Sequence, residues 1–209
     1  MPYTILAATV ESSTEEKNSD FLTFLHPVSS RDEAMEKVAF YRQQYPDANH
    51  VCWAYVIGNT RQPQTQAFSD DGEPSGTAGK PMLHVLTERE AGNSLAVVVR
   101  YFGGVKLGAG GLVRAYSGAV STAMNSASLV KISPKVELGV QVDFARETRI
   151  RHIINQFHGQ ILAVDYTTQV LIKISVEATQ AELFAQQIIN ETAGNITITR
   201  GAEAYDQRT

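Results

Sequence analysis

Two segments of the sequence hold residues whose types and spacing suit ligand chemistry. In the first, Asp70, Asp71 and Glu73 lie within four positions. Clustered carboxylate oxygens are ligands that Mg²⁺ prefers, especially when the phosphates of a bound molecule complete its shell. Ser75 and Thr77 follow them and add two hydroxyl groups. The segment therefore predicts an acidic loop that contacts a metal ion or a partner, with Mg²⁺ as the one cofactor it suggests.

A rigid turn is the alternative interpretation of the same segment. Asp-Gly and Pro-Ser-Gly form turns readily, because glycine permits a positive φ and proline fixes φ near about −65°. Known ligand motifs do not fit the segment. The spacing is not that of an EF-hand, and Gly79-Lys80 is followed by Pro81, where a Walker A loop needs Ser or Thr.

The second segment, Arg100–Ser117, predicts a strand, a loop and a helix in succession. The loop has five glycines in the nine positions from Gly103 to Gly111. Such a junction exposes backbone N–H groups and the positive end of a helix dipole, which together favour an anion. The alternative is that the glycines permit a tight bend and close packing. The residues predicted to bind an anion or a nucleic acid are Lys80, Arg100, Gly103, Gly104, Lys106, Gly110, Gly111 and Arg114.

The distribution of charge supports the anion interpretation better than the net charge does. The chain carries −4 overall, and its pI of about 5.7 lies well below the value of roughly 9 that marks many nucleic-acid-binding domains. Between Glu90 and Glu137, however, there is no acidic residue, and the basic residues in that window give it a local charge of +5. Local charge is what steers an anionic partner.

The single cysteine is not predicted to be catalytic. His50 and Cys52 are separated by one residue, and strand alternation places them on the same side of a predicted strand. No third group completes a nucleophilic set, and buried cysteines are usually inert. No catalytic residue is assigned. Whether the chain is an enzyme stays open, with a non-enzymatic role favoured.

The sequence also bears on location. The N-terminal residues lack the basic start and apolar stretch of a signal peptide, and no apolar run approaches the ~18 residues of a membrane span. One cysteine cannot form an internal disulfide. These features predict a cytoplasmic protein with no membrane partner.

A change in composition near Ser133–Pro134 predicts two domains, residues 1–133 and 134–209. In the second, the apolar periodicity predicts the order β-α-β-β-α-β, which is the ferredoxin-like arrangement. The outward positions of its predicted sheet lack the aromatic residues that would stack RNA bases. This domain is therefore predicted to dock on a protein or on the ribosome.

The first 133 residues predict an α+β domain with a less regular pattern. Ser30 with Glu33 forms a capping box for its first helix, as Thr179 with Glu182 does for the last helix of the chain. The predicted strands cover residues 3–10, 21–27, 51–57, 66–69 and 94–102, and two further helices cover 81–90 and 110–127.

Both chemical segments closely resemble the signature of the Impact family. The resemblance is carried without gaps by Ser69–Pro81, Val98–Gly104 and Leu107–Tyr116, and the whole chain resembles the bacterial YigZ type. It implies a two-layer α/β N-terminal domain, shared with a ribosomal protein and with one domain of elongation factor G. It also implies a C-terminal domain similar to another module of that factor.

The resemblance implies a role in translation without naming a reaction. Eukaryotic relatives act in translational control through a starvation-responsive kinase pathway that bacteria lack, and no accepted catalytic residues come with the family. The leading hypothesis is a non-enzymatic translation-associated protein that binds RNA, the ribosome or a translation partner and regulates translation. The alternative is an enzyme or sensor that binds a phosphorylated ligand or nucleotide at the glycine-rich loop, beside an acidic Mg²⁺ site.

Overall fold

The computed structural model describes residues 2–205 and divides into two compact units. The N-terminal unit spans Tyr3–Lys131, and the C-terminal unit consists of Pro2 and the residues from Ile132 onward. The strand Leu129–Ile132, described below with the N-terminal unit, ends one residue past its boundary. The predicted domains 1–133 and 134–209 include residue 1 and residues 206–209, which lie outside the described residues. Both units combine helices with strands, so the chain is α+β.

The N-terminal unit contains a larger antiparallel sheet and a small second sheet. The larger sheet has five strands in the order β2-β3-β7-β4-β5, and the small one has three in the order β6-β1-β8. Its strands are β1 (Tyr3–Leu6), β2 (Val10–Glu16), β3 (Ser19–Pro27), β4 (His50–Asn59), β5 (Gln62–Ser69), β6 (Ala91–Gly92), β7 (Ser94–Tyr101) and β8 (Leu129–Ile132), and its helices are α1 (Arg31–Gln44), α2 (Gly79–Glu88) and α3 (Ala109–Ser126). The single strand predicted over residues 3–10 is wrong, because β1 and β2 belong to different sheets.

Helices cover both faces of the five-stranded sheet. α2 and α3 pack on one face against Cys52 and Val98, while α1 packs on the other against Tyr55 and Val97. Successive residues of a strand point to opposite faces, so strands that are apolar at every position need cover on both sides. The predicted two-layer arrangement is therefore wrong, and this unit has three layers. The unbroken apolar run Leu95–Val99 is the sequence feature that signals the third.

The topology brings both chemical segments to one end of the five-stranded sheet. β5 and β7 each pair antiparallel with β4, so they run parallel to each other. The loop from β5 to α2 and the loop from β7 to α3 therefore leave the sheet at the same end. The start of β4 lies there too, because His50 pairs with Arg100. We call this region the loop end of the unit.

The C-terminal unit has the element order predicted from the sequence. Its four strands are antiparallel and lie in the order β10-β11-β9-β12. Alternate residues of the central strands, such as Val140 and Ile172, pack with Ile154 and Phe184 of the helices in one core. The elements are β9 (Pro134–Val142), α4 (Glu147–Gln156), β10 (Gln160–Tyr166), β11 (Val170–Glu177), α5 (Ala181–Glu191) and β12 (Thr197–Tyr205).

The two predicted capping boxes have different outcomes. At α1, Ser30 Oγ accepts a hydrogen bond from the Glu33 N–H at 3.2 Å, as predicted, although the Glu33 carboxylate reaches back to the Ser29 N–H. At α5 the prediction is wrong, because Gln180 occupies the N-cap and no side chain caps the helix. Within residues 2–205, none of the helices has the length and apolar character that crossing a membrane requires.

A buried histidine under α1 makes the stability of the N-terminal unit depend on pH. His26 is hydrogen-bonded through Nε2 to the Tyr41 hydroxyl at 2.7 Å and through Nδ1 to Thr9 Oγ1 at 3.0 Å. Burial lowers its pKa from 6.5 to about 4; Lys37 adds to the lowering and Glu33 opposes it. The folded state resists protonation of His26. The contribution of the neutral side chain to the free energy of unfolding is therefore complete above the unfolded pKa of 6.5, and it is lost as the pH falls towards the folded pKa of about 4.

We therefore expect the urea concentration at the midpoint of unfolding to be lower at about pH 5 than at about pH 7.5. The fluorescence of Trp53, the only tryptophan, measures it. His26→Gln should remove most of the fall, whereas His84→Gln, at an exposed position of α2, should retain it. A midpoint in the wild-type protein that is equal at both pH values would contradict this assignment.

Candidate functional site

A buried ion pair lies at the centre of the loop end. Arg100 Nη1 donates to Glu73 Oε1 at 2.6 Å, and only 6% and 4% of the two side chains are exposed. The Tyr116 hydroxyl donates to the same carboxylate oxygen at 2.7 Å. The pair thus joins the first chemical segment to the second and to helix α3.

Other neighbours hold the Arg100 guanidinium in place. Nη2 donates to Ser19 Oγ at 3.4 Å, and the group lies over the rings of Phe21 and Phe102 at 5.5 and 5.6 Å. Its Nε is buried and has no hydrogen-bond partner among residues 2–205. Arg100, which the sequence predicted to bind an anion or a nucleic acid, is therefore a buried cation neutralised by Glu73.

Asp70 supports the start of helix α2. Its Oδ1 accepts hydrogen bonds from the Ala78 and Gly79 N–H groups at 3.0 and 2.8 Å, and its Oδ2 accepts one from the Gly76 N–H at 2.7 Å. A carboxylate at this place satisfies amides that the helix itself cannot, and it complements the helix dipole. Asp70 is a helix cap drawn from the preceding loop.

Asp71 fastens the same loop to β4 and α1. Its Oδ2 accepts from the Val51 N–H and its Oδ1 from Arg42 Nη2, both at 2.7 Å. The Asp71 carbonyl oxygen lies 2.8 Å from His50 Nδ1. Since a carbonyl oxygen only accepts, Nδ1 carries a proton, and Nε2 lies 3.8 Å from Glu73 Oε2.

The three carboxylates therefore have separate internal partners, and the predicted Mg²⁺ arrangement is not formed. No cluster of three or more histidine, cysteine or acidic residues suited to a metal ion occurs among the residues that the structure describes. Thr77 Oγ1 donates to the Pro74 carbonyl oxygen at 2.6 Å and is buried, whereas Ser75 is exposed. The acidic loop is the rigid turn of the alternative interpretation.

The glycines of the second segment divide between packing and open positions. A Cβ on Gly103 would lie 1.7 Å from the Asn18 carbonyl oxygen, and one on Gly111 would lie 2.9 Å from Leu107 Cβ. Gly104 has a φ of +85° with open space around it, and Gly110 meets only the end of Arg114 at 3.7 Å. Gly103 and Gly111 are therefore required by the fold, while Gly104 and Gly110 leave the backbone accessible.

Three of the predicted anion-binding residues remain exposed cations. Lys80 lies in the first turn of α2, Lys106 precedes α3, and Arg114 lies in its second turn. In residues 2–205 no carboxylate forms an ion pair with any of them. Both helices begin at the loop end, so their positive dipole ends lie there as well.

A cleft of about 450 Å³ opens between the two segments. Its lining combines polar groups with an apolar wall and includes Asn49, His50, Arg100, Phe102, Lys106 and Leu112. The Phe102 N–H donates to Asn49 Oδ1 at 2.7 Å, which fixes the orientation of that amide. Pockets of this size and mixed lining are common ligand sites.

The cysteine below the cleft is unsuited to nucleophilic chemistry. Cys52 is fully buried, with its sulfur 3.1 Å from the Asp70 carbonyl oxygen and 3.4 Å from the Tyr116 hydroxyl. Burial raises the pKa of the thiol, so the reactive thiolate is suppressed.

Sequence reasoning missed Asn49, Phe102 and Tyr116 as parts of this site. Tyr116 had a usable signal, because it follows Leu112 by one helical turn and so shares the face that packs on the sheet. Asn49 had none, since its contact depends on the register between β4 and β7.

Two family models match the chain. One is the Impact N-terminal domain, over residues 17–124. The other is a domain of unknown function (DUF1949), over residues 140–195. IMPACT family member YigZ of Escherichia coli is 38% identical over 194 residues, which are 93% of this chain and 95% of that protein. The chain belongs to the Impact family.

Other members of the family match this chain over different lengths. IMPACT family member YvyE of Bacillus subtilis is 36% identical, over 90% of this chain and 86% of its own length. A Saccharomyces cerevisiae protein IMPACT homolog is 32% identical, over 48% of this chain and 39% of its own. A solved structure described as a hypothetical protein is 37% identical, with a TM-score of 0.69 and coverage of 94% and 96%. The sequence resemblance to the Impact family is thereby confirmed.

Proposed function

We propose that this Impact-family chain is a non-enzymatic, translation-associated protein that binds RNA through the loop end of its N-terminal unit. Ribosomal RNA is the form in which the ribosome would present such a ligand. The observation that carries the proposal is the set of exposed cations Lys80, Lys106 and Arg114, which lie at one end of the sheet without ion-pair partners in the described residues. Regulation of translation would follow from occupancy of such a site.

The electrostatics of this end favour a phosphate backbone. Strands β5 and β7 run parallel and each leads into a helix, so the N-termini of α2 and α3 lie at the same end of the sheet. Helix N-termini attract anions. The exposed side chains of Lys80, Lys106 and Arg114 add full charges to these partial ones. The C-terminal unit lies outside the proposal for RNA contact, because the sequence from residue 136 onward has six basic and nine acidic residues.

An exposed aromatic ring accompanies the cations. Phe102 lines the cleft and is 45% exposed, although phenylalanine is usually buried. Exposed rings beside basic side chains are the arrangement with which proteins stack unpaired bases. The combination supports RNA over a simple inorganic anion.

The fold that we infer for the C-terminal unit and the kinship of both units with translation proteins fit this role. We infer that the β-α-β-β-α-β order and the strand order β10-β11-β9-β12 make the C-terminal unit ferredoxin-like. Kinship of both units with ribosomal-protein and elongation-factor-G domains, which the family resemblance implies, belongs to the same proposal. The fold alone does not assign a function, and a cytoplasmic location is part of the proposal because RNA and ribosomes are there.

The alternative, an enzyme or sensor for a phosphorylated ligand, has only half of its predicted site. Its Mg²⁺ half relied on Asp70, Asp71 and Glu73, whose carboxylates bind amides, Arg42 and Arg100 instead. Its phosphate half coincides with the basic residues of the RNA proposal. RNA binding is therefore the function that these contacts favour.

Removing the three cations should weaken RNA binding without unfolding the protein. We expect Lys80→Gln, Lys106→Gln and Arg114→Gln in one chain to reduce affinity for single-stranded RNA roughly 10–100-fold at low salt. All three side chains are exposed, so their replacement leaves the core intact. Fluorescence anisotropy with a labelled oligonucleotide measures the change.

A charge-matched control lies at the opposite end of the same unit. Arg61 is in the turn from β4 to β5, Arg89 follows α2, and Lys131 is in β8, and all three are exposed. Their triple replacement by glutamine should leave RNA affinity nearly unchanged. If the wild-type protein binds no RNA at low salt, or if both triple variants lose affinity equally, the proposed function is wrong.

A further inference from the structure

The lining of the cleft at the loop end combines two kinds of chemistry. Lys106 and the residues that begin α3, its N-cap Gly108 and Ala109, supply a cation and backbone N–H groups that the helix leaves unpaired. Leu107, Leu112 and Phe102 supply apolar surface. Glu73 also lines the cleft, but its carboxylate is neutralised by Arg100 at 2.6 Å. A ligand that fits this lining has an anionic group attached to a flat or apolar body.

The walls of the cleft also offer specific hydrogen-bonding groups. His50 Nδ1 is held by the Asp71 carbonyl oxygen at 2.8 Å, and its Nε2, which lies 3.8 Å from Glu73 Oε2, is the second polar atom of the ring. Asn49 accepts from Phe102 through Oδ1, which leaves its Nδ2 group as a donor.

We propose that the cleft holds a single unpaired nucleotide of bound RNA, an inference that rests on the proposed function. The nucleobase lies against Phe102 and the wall formed by Leu107 and Leu112. The phosphate lies at the first turn of α3 beside Lys106. His50 and Asn49 face the polar edge of the base. The loop end therefore selects single-stranded over double-stranded RNA.

Phe102 is the residue on which the proposed base would stack. Arg100 lies over its ring at 5.6 Å, and nearly half of the residue is open to solvent. A base that stacks on the ring would extend a series of flat groups that already includes the guanidinium. In duplex RNA the bases are paired and stacked on each other, and the deep, narrow major groove keeps side chains away from them.

The test compares single-stranded and duplex RNA of equal length with two variants of the full chain. Phe102→Leu keeps an apolar side chain and removes the flat ring, so affinity for a short uridine oligonucleotide should fall about tenfold while affinity for the duplex stays the same. Phe40→Leu is the matched control, because Phe40 is 56% exposed on α1, which packs on the other face of the sheet. Ala109→Leu, which narrows the cleft, should act like Phe102→Leu.

The outcomes separate this inference from the proposed function. If RNA binds but Phe102→Leu and Ala109→Leu bind single strands as well as wild type does, the cleft inference is overturned and the basic site stands. If no RNA of either kind binds, the proposed function fails as well. In that case, saturable binding of uridine monophosphate that is lost in Ala109→Leu would place a free nucleotide in the cleft and overturn the assignment to RNA.

Discussion

Replacing Glu73 with alanine is expected to lower the free energy of unfolding of the N-terminal unit by about 3–5 kcal/mol. The substitution removes the carboxylate that pairs with Arg100 at 2.6 Å and accepts from Tyr116 at 2.7 Å. It leaves a guanidinium and a hydroxyl inside the protein without that partner, and the uncompensated charge dominates the loss. Urea unfolding followed by the fluorescence of Trp53 measures the change.

Two further variants show whether the loss of stability in Glu73→Ala comes from the unpaired charge of Arg100. Glu90→Ala breaks a surface ion pair in which 82% of the Arg61 side chain and 56% of the Glu90 side chain are exposed. Its loss should cost less than about 1 kcal/mol. The double variant Glu73→Leu with Arg100→Met removes both charges and should be more stable than Glu73→Ala alone. A Glu73→Ala protein as stable as the Glu90→Ala protein would contradict the buried pair.

Replacing Asp70 with alanine is expected to cost about 2–3 kcal/mol. Its carboxylate accepts hydrogen bonds from Gly76, Ala78 and Gly79, and the last two amides begin α2. Their loss exposes the start of the helix and frees the loop that carries Glu73. The same urea experiment measures the effect.

Asp70→Asn distinguishes lost hydrogen bonds from lost loop packing. An asparagine oxygen can still accept from Ala78 and Gly79, as Oδ1 does now, but the amide nitrogen would face the Gly76 N–H. The asparagine variant should therefore lie between wild type and alanine. Equal stability of Asp70→Ala and wild type would show that the cap has no energetic weight.

Most of the elements could be predicted from the sequence, because they depend on local patterns. Alternation predicted β9 and β11, helical spacing predicted α4, and a run of small and apolar residues predicted α3. The two layers that the family resemblance implied leave one face of the run Leu95–Val99 uncovered, whereas α1 covers that face in the structure. That information was in the sequence.

The partners of charged residues could not be predicted in the same way. Arg100 and Glu73 are 27 positions apart, and their contact follows from the parallel exit of β5 and β7, which sequence periodicity does not specify. An acidic turn used for capping has the same composition as an acidic turn used for a metal. Only the directions of the Asp70 and Asp71 carboxylates, towards backbone amides, separate the two.

The most direct test of the loop end as an RNA site is the salt dependence of binding by the wild-type protein and by the Lys80→Gln, Lys106→Gln, Arg114→Gln variant. Each lost phosphate contact on a single strand reduces the slope of log K against log salt by about 0.7, so the slope should fall by about 2 in magnitude. The variant with Arg61, Arg89 and Lys131 replaced should keep the wild-type slope. Identical slopes for the wild type and the loop-end variant would contradict the account.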